Sequence, residues 1–249
     1  MGIYQNLLDI AAAKGAGYLV LIDPDKWSEE AIVSFVHRIN QSGADGILVG
    51  GSLNTQGLWD RKIFKIKEMA KLPVILFPGT LSQISEHADA LLFLSLISGR
   101  NPQFLIADQV HAAPLVKHIG IEPISTAYLL VESGKPTTAE FMSGTRPIPR
   151  TKPDIAMAHA LAAEYLGFKL IYLEAGSGAE FPVPVEMVKA VTSATHIPVV
   201  VGGGIRTPET ARLLVEAGAR FIITGNILES IRDPELLRAF VQAVHIHEA

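Results

Sequence analysis

The chain has no cysteine, which removes disulfides, thiol nucleophiles and thiolate metal sites. It also lacks any run approaching the roughly 18 to 20 apolar residues needed to span a bilayer, so no transmembrane segment is expected and any membrane contact would be transient. Its first residues show no basic start followed by an apolar run and a small-residue cleavage site, and no secretion signal is read. Charge is sparse as well. Only 18% of residues are charged, the net charge is -4, and the basic residues are scattered. A nucleic-acid partner is therefore not expected, because binding one takes a concentrated basic face. Small phosphate ligands stay open, since backbone amides hold them without net positive charge. The eight histidines form no set spaced for a metal ion. A cytoplasmic location is the default expectation.

What is abundant is apolar material. Hydrophobic residues make up 49% of 249 residues, enough for a large core and the length of one eight-fold β/α barrel. Short β-branched runs alternate with longer amphipathic stretches. The expected strands are Tyr18–Ile22, Gly46–Val49, Val74–Phe77, Ala90–Ser95, Ile121–Leu130, Leu170–Leu173, Pro198–Val201 and Phe221–Thr224. Continuous runs such as 198–201 suit strands buried on both faces, as parallel sheets require. The expected helices are Ser28–Ser42, Leu58–Ala70, Gln103–His118, Lys152–Leu166, Pro184–Ser193, Pro208–Glu216 and Pro234–His245. Ser28 and Thr207 are placed to cap helices, Pro208 suits a first helical position, and Gly43, Gly120, Gly167 and Gly218 follow helical runs as terminators.

This alternation, with no composition break, predicts an α/β fold in one domain over residues 1–249: a (β/α)8 TIM barrel. The third β/α unit is expected to be irregular, because only Pro78 to Asp89 separates strands three and four. A doubly wound open sheet is the alternative, disfavoured by the want of a Gly-rich first turn. The segment Glu132–Arg150, rich in Gly, Pro, Ser and Thr, reads as a long loop on the catalytic rim, either a lid or a plain surface loop.

Two glycine signals stand at the ends of the last two strands: Gly202-Gly203-Gly204-Ile205, and Gly225-Asn226 after Thr224. Loops after strands seven and eight of such barrels often hold phosphate. Glycine lets the backbone approach without a Cβ clash, and successive N–H groups then point at the oxygens. Asn226 adds a donor. The pairing at two adjacent strands favours phosphate over simple turn chemistry.

Acidic groups mark other strand ends. Asp23 ends strand one in Ile22-Asp23-Pro24-Asp25, and Ser52 ends strand two in Gly50-Gly51-Ser52. Hard oxygen donors on neighbouring strands suit Mg2+, which takes one or two carboxylates and fills its octahedron with water and substrate phosphate. The competing reading of Asp23-Pro24-Asp25 is a turn and helix start. Glu174 ends strand six in Tyr172-Leu173-Glu174-Ala175-Gly176-Ser177-Gly178. A charge there is costly unless solvated, paired or functional. Tyr172, two residues earlier, faces the same side. Glu174 is thus a candidate to accept a proton from a substrate hydroxyl, with Tyr172 positioning it. A Glu tied to a barrel lysine or arginine is the structural alternative.

Taken together and in this order, these motifs identify the chain as similar to the geranylgeranylglyceryl phosphate synthase family, which includes archaeal ether-lipid enzymes and bacterial heptaprenylglyceryl phosphate synthases. The resemblance covers essentially the whole chain, and the tyrosine–leucine–glutamate motif is its most diagnostic part. It implies a Mg2+-dependent prenyltransferase of phospholipid biosynthesis. The implied reaction joins a polyprenyl diphosphate, foremost geranylgeranyl, to the 3-hydroxyl of sn-glycerol 1-phosphate. It implies that Asp23 and Ser52 contact Mg2+, and that Tyr172, Leu173, Glu174, Ala175, Gly176, Ser177, Gly178, Gly203, Gly204, Gly225 and Asn226 hold glycerol 1-phosphate. A homo-oligomer is implied too. One family branch has a phosphate-binding lysine two residues before the metal aspartate; here that position is Leu21, with Lys26 nearby. The departure, with longer spacing between the first two strands, places the chain nearer the other branch. An apolar groove for the prenyl tail is expected around Ser95–Ser98 and Ser125–Tyr128.

Two other functions fit parts of the pattern. A phosphosugar isomerase or cyclase on the same barrel would need paired acid and base groups on opposite strands. A non-catalytic phosphate-binding or assembly protein would bind glycerol phosphate or oligomerise without turnover.

Overall fold

A computed structural model describes residues 2–51, 57–230 and 234–247. Eight parallel strands close in chain order: β1 (Gly17–Ile22), β2 (Gly46–Val49), β3 (Val74–Leu76), β4 (Ala90–Ser95), β5 (Glu122–Leu130), β6 (Leu170–Glu174), β7 (Val199–Gly202) and β8 (Phe221–Thr224). Pairing of β8 with β1 completes the ring, which rules out the open sheet. Every expected strand is present to within one residue at each end. The reason lies in the pleat, because alternate side chains serve two apolar layers. Leu19, Leu48, Ile75, Leu92, Ile124, Tyr172 and Phe221 fill the bore, while Val20, Ile22, Ile47, Val49 and Leu173 pack outward against the helices.

The helices are α1 (Ile3–Lys14), α2 (Glu29–Ser42), α3 (Trp59–Met69), α4 (Asp108–Ile119), α5 (Thr138–Ser143), α6 (Pro153–Tyr165), α7 (Val185–Ala194), α8 (Pro208–Glu216), α9 (Asn226–Ser230) and α10 (Pro234–Val244). A wider π turn over Gln103–Ala107 leads into α4. Ser28 and Thr207 cap α2 and α8 by accepting from the amides of Ala31 and Thr210. The four terminator glycines all take positive φ.

Three helices were not expected from the sequence. Of these, α1 closes the N-terminal end of the barrel. Leu7 and Ala11 enter the inner cluster, and the Glu122 carboxylate accepts from the amides of Ile3 and Tyr4. The Glu132–Arg150 segment is not a plain loop. It bridges back to the sheet through Val131 and Ile148 and carries α5, whose cap is Thr137. The third is the one-turn α9 after β8.

The third β/α unit is irregular, as expected. Between β3 and β4 the chain makes a single 3-10 turn, Leu81–Gln83. No helix follows β3 to cover the outer face of β4. Gln83 is fully buried and braces the turn: its Oε1 accepts from Gly79 N at 2.6 Å and its Nε2 donates to Gly51 O at 2.9 Å. Trp59 Nε1 donates to the Gln83 carbonyl at 2.9 Å.

Asp45, just before β2, gathers the N-terminal face. Its carboxylate meets Lys14 Nζ at 2.6 Å, His245 Nε2 at 2.8 Å and Tyr18 N at 2.8 Å. Burial alone would raise its pKa, but His245, Lys14 and the Tyr18 amide outweigh burial and hold it below the ordinary carboxylate value. Its stabilisation is therefore fully present above about pH 3.9 and is lost as pH falls through the lower folded value. Asp45→Ala is expected to cost about 3 kcal/mol, near the low end for breaking a buried pair because Lys14 is partly exposed. Urea unfolding measures this; a loss below about 1 kcal/mol, the range of an exposed pair, would show that the node is dispensable.

Candidate active site

The C-terminal ends of the strands surround one cavity of about 390 Å3. Its polar part is lined by Asp23, Lys26, Glu174, Ser177, Gly203 and Asn226. Its apolar arm runs over β4, past Leu81, Ile84, Leu91, Phe93, Phe104 and Ala112. Leu91 belongs to the outer layer, so the arm reaches the outer side of the sheet, where no helix connects β3 to β4. Thr138, Ala139, Met142 and Ser143 of α5 close over the cavity.

Glu174 stands where the two parts meet. It is 5% exposed, and Gly176 N donates to its Oε1 at 2.6 Å. Burial pushes its carboxyl pKa up, and the Tyr172 hydroxyl and the Gly176 amide offset part of the rise. No ion pair to a barrel cation holds it among the described residues. Tyr172 is fully buried, and its hydroxyl has no well-formed hydrogen bond. A buried hydroxyl held this loosely beside a carboxylate marks a place where a ligand can supply a better partner.

Gly203 shows why side chains are absent from this rim. Its φ is 79°, and a Cβ there would meet Glu174 Oε1 and, at 2.7 Å, Gly176 N. Beyond it, Asn226 exchanges hydrogen bonds with Ser177 across the gap between the loops after β6 and β8. Leu173 and Ala175 sit differently from the other candidates. Their side chains are buried in the outer layer, and Ala175 N already donates to Gly202 O at 3.1 Å, so neither side chain faces the cavity.

Asp23 ends β1 and caps the 3-10 turn Pro24–Lys26, accepting from Asp25 N at 3.2 Å. The turn reading and the cavity reading therefore both hold. Burial raises its pKa, while Lys26 and the Asp25 amide oppose the rise. A Cβ on Gly51 would lie 2.5 Å from Asp23 Oδ1, so glycine there gives the carboxylate its room. Ser52, the other candidate for metal contact, lies outside the described residues. Lys26 reaches both sides of the rim: Nζ is 3.5 Å from Asp23 Oδ2 and donates to Asn226 Oδ1 at 3.2 Å. Leu21, in contrast, lies under Gly225.

The serines expected beside the prenyl tail are spent elsewhere. Ser95 Oγ donates to Leu105 O at 2.7 Å, and Ser98 Oγ accepts from Leu130 N at 3.0 Å. From those segments Leu96 and Tyr128 line the cavity. The residues sequence reasoning missed are Phe77, the α5 cover and the outward-facing Leu91 and Phe93. Among the described residues no helix is long and apolar enough to cross a membrane.

Comparison with known proteins gives the same picture. The PcrB family matches residues 8–244. A geranylgeranylglyceryl phosphate synthase of Chitinophaga pinensis is 44% identical over 243 residues, 98% of this chain and 96% of that one. That of Pyrococcus horikoshii is 46% identical over 228 residues, 91% of this chain and 89% of its own. The crystal structure of (S)-3-O-geranylgeranylglyceryl phosphate synthase from Thermoplasma acidophilum, in complex with its substrate sn-glycerol-1-phosphate, superposes with a TM-score of 0.93 at 37% identity, covering 98% of this chain and 99% of that one. The chain belongs to the PcrB family, alongside the geranylgeranylglyceryl phosphate synthases.

Proposed function

We propose that this chain is a Mg2+-dependent prenyltransferase that forms an ether between a polyprenyl diphosphate and the 3-hydroxyl of sn-glycerol 1-phosphate. The observation that carries the reading is the position of Glu174: buried, with no ion pair among the described residues, at the junction of a glycine-lined polar cradle and a long apolar arm. A small polyol phosphate matches the cradle. A hydrocarbon tail matches the arm, where burial contributes roughly 25 cal/mol per Å2 of apolar surface. The sn-glycerol-1-phosphate held by the Thermoplasma acidophilum relative supports the same assignment.

The chain's own residues perform the following work in this proposal. Amides near Gly176, Gly178, Gly203, Gly204 and Gly225, with Ser177 and Asn226, orient the glycerol phosphate. The Tyr172 hydroxyl, beside Glu174, bonds the reacting alcohol. Glu174, its Oε1 steadied by Gly176 N, takes the proton of the 3-hydroxyl as that oxygen bonds to the allylic C1. The C1–O bond to diphosphate breaks, with the electron pair leaving on the diphosphate oxygen. Asp23, half-buried and given space by Gly51, has the donor chemistry of a Mg2+ site, with Ser52 as its expected companion. Magnesium bound there would neutralise the departing diphosphate.

The test is transfer of labelled geranylgeranyl diphosphate, and of shorter and longer homologues, to sn-glycerol 1-phosphate and sn-glycerol 3-phosphate with Mg2+. The expected result is an extractable ether lipid with the 1-phosphate and little with its enantiomer. No ether with any chain length would defeat the proposal and leave a phosphate-binding protein in its place.

A further inference from the structure

We infer that Phe77, Tyr128 and Tyr172 form an aromatic floor that stabilises the allylic cation as diphosphate departs; the assignment rests on the proposed prenyl transfer. The three rings come from β5, β6 and the residue after β3. Phe77 and Tyr172 stack with centroids 5.2 Å apart, and Tyr128 stands edge-on to Tyr172 at 5.5 Å and tilted to Phe77 at 6.0 Å. All three line the cavity, and Phe77 and Tyr128 are only half-buried.

Chemistry asks for such a surface at this point. Breaking the C1–O bond leaves positive charge delocalised over the allylic carbons. Glu174 is occupied with the alcohol, and taking its proton removes the charge on the carboxylate. Aromatic faces carry negative quadrupole density and attract a cation within about 6 Å of the centroid. They do so without a lone pair that would trap it, which a second carboxylate would have. Both phenols are suited to the role, because burial, followed by the charge of Glu174, pushes their pKa values up and keeps them neutral. The backbone also makes room for the cluster: a Cβ on Gly50 would run into the Phe77 carbonyl.

The test places 4-fluoro-, 3,5-difluoro- and pentafluorophenylalanine at position 77 of the full chain, each checked by thermal melting. Fluorine withdraws density from the ring face and nearly preserves its shape. The turnover of prenyl transfer is expected to fall stepwise, by about 30-fold at full fluorination, with KM for glycerol 1-phosphate unchanged. Equal turnover across the series would overturn the assignment, as would a loss confined to KM. A binding measurement stands beside it. With inorganic pyrophosphate and Mg2+ present, a prenyl ammonium mimic of the cation is expected to bind the wild-type chain at least about tenfold more tightly than its neutral carbon isostere. Equal affinities would also overturn it. A wild-type chain that makes no ether defeats the proposed function itself and this assignment with it. Ether formation indifferent to fluorination defeats the ring assignment alone.

Discussion

Replacing Glu174 by glutamine is expected to lower the turnover of ether formation by about 10^2- to 10^4-fold, the range typical of a lost general base. Glutamine keeps an acceptor for the Gly176 amide, so the loop after β6 should hold its shape. What disappears is the capacity to take a proton. Burial raises the folded-state pKa of Glu174, so wild-type turnover should rise with pH through a value above that of an ordinary glutamate. Folding responds with the opposite sign. A carboxyl whose folded pKa is raised favours the folded state when protonated, and that advantage is lost as pH rises through the folded value. Glu174→Gln should therefore melt no lower than wild type at neutral pH, and higher if Glu174 is charged there. Rate profiles against pH and thermal melts on both proteins test this. Near-normal turnover in the variant would remove Glu174 from the chemistry.

Asp23→Ala is expected to abolish both the Mg2+ requirement and the activity, with a loss of about 10^3-fold or more, since a metal contributes several kcal/mol to leaving-group charge. The protein should remain folded, because Asp23 caps only a three-residue turn, and that turn has other support. Lys62, itself buried, donates from α3 to Pro24 O at 2.7 Å and Trp27 O at 3.0 Å. Calorimetric titration with Mg2+ or Mn2+ separates metal loss from general damage: the variant should bind neither at the affinity of wild type. A wild-type rate that survives EDTA would end the metal role.

The barrel was legible because its strands are buried on both faces and so read as unbroken apolar runs. Pro198 to Val201 shows this most plainly, with Val200 turned into the bore and Val199 and Val201 turned out. The helix α1 was not legible. Gly2 gives it no side-chain cap, and its apolar residues serve the mouth of the barrel, a surface that exists only once the strands have closed. Helix α5 hides in a segment whose Gly, Pro, Ser and Thr content reads as loop, although Thr137 is a cap of the usual kind. The candidate site divides along the same line. Glycines and carboxylates at strand ends can be read one strand at a time. The aromatic floor cannot, because Phe77, Tyr128 and Tyr172 are 44 or more residues apart and meet through barrel curvature. The irregular unit between β3 and β4 was visible only as a short connection, with nothing to say that it would carry an apolar arm to the outside.

The Asp45 node has a consequence for the closure of the ring. A cylinder made from one chain has a seam, here the pairing of β1 with β8, and the two segments that flank it come from opposite ends of the sequence. Lys14 and His245 fasten to the same carboxylate, Ile246 lies over Gly15, and His247 N donates to Lys14 O at 3.1 Å. The arrangement is a clasp. Trimming the chain back past residue 245 should loosen β1 and β8 first, and hydrogen exchange would register it there before anywhere else in the sheet.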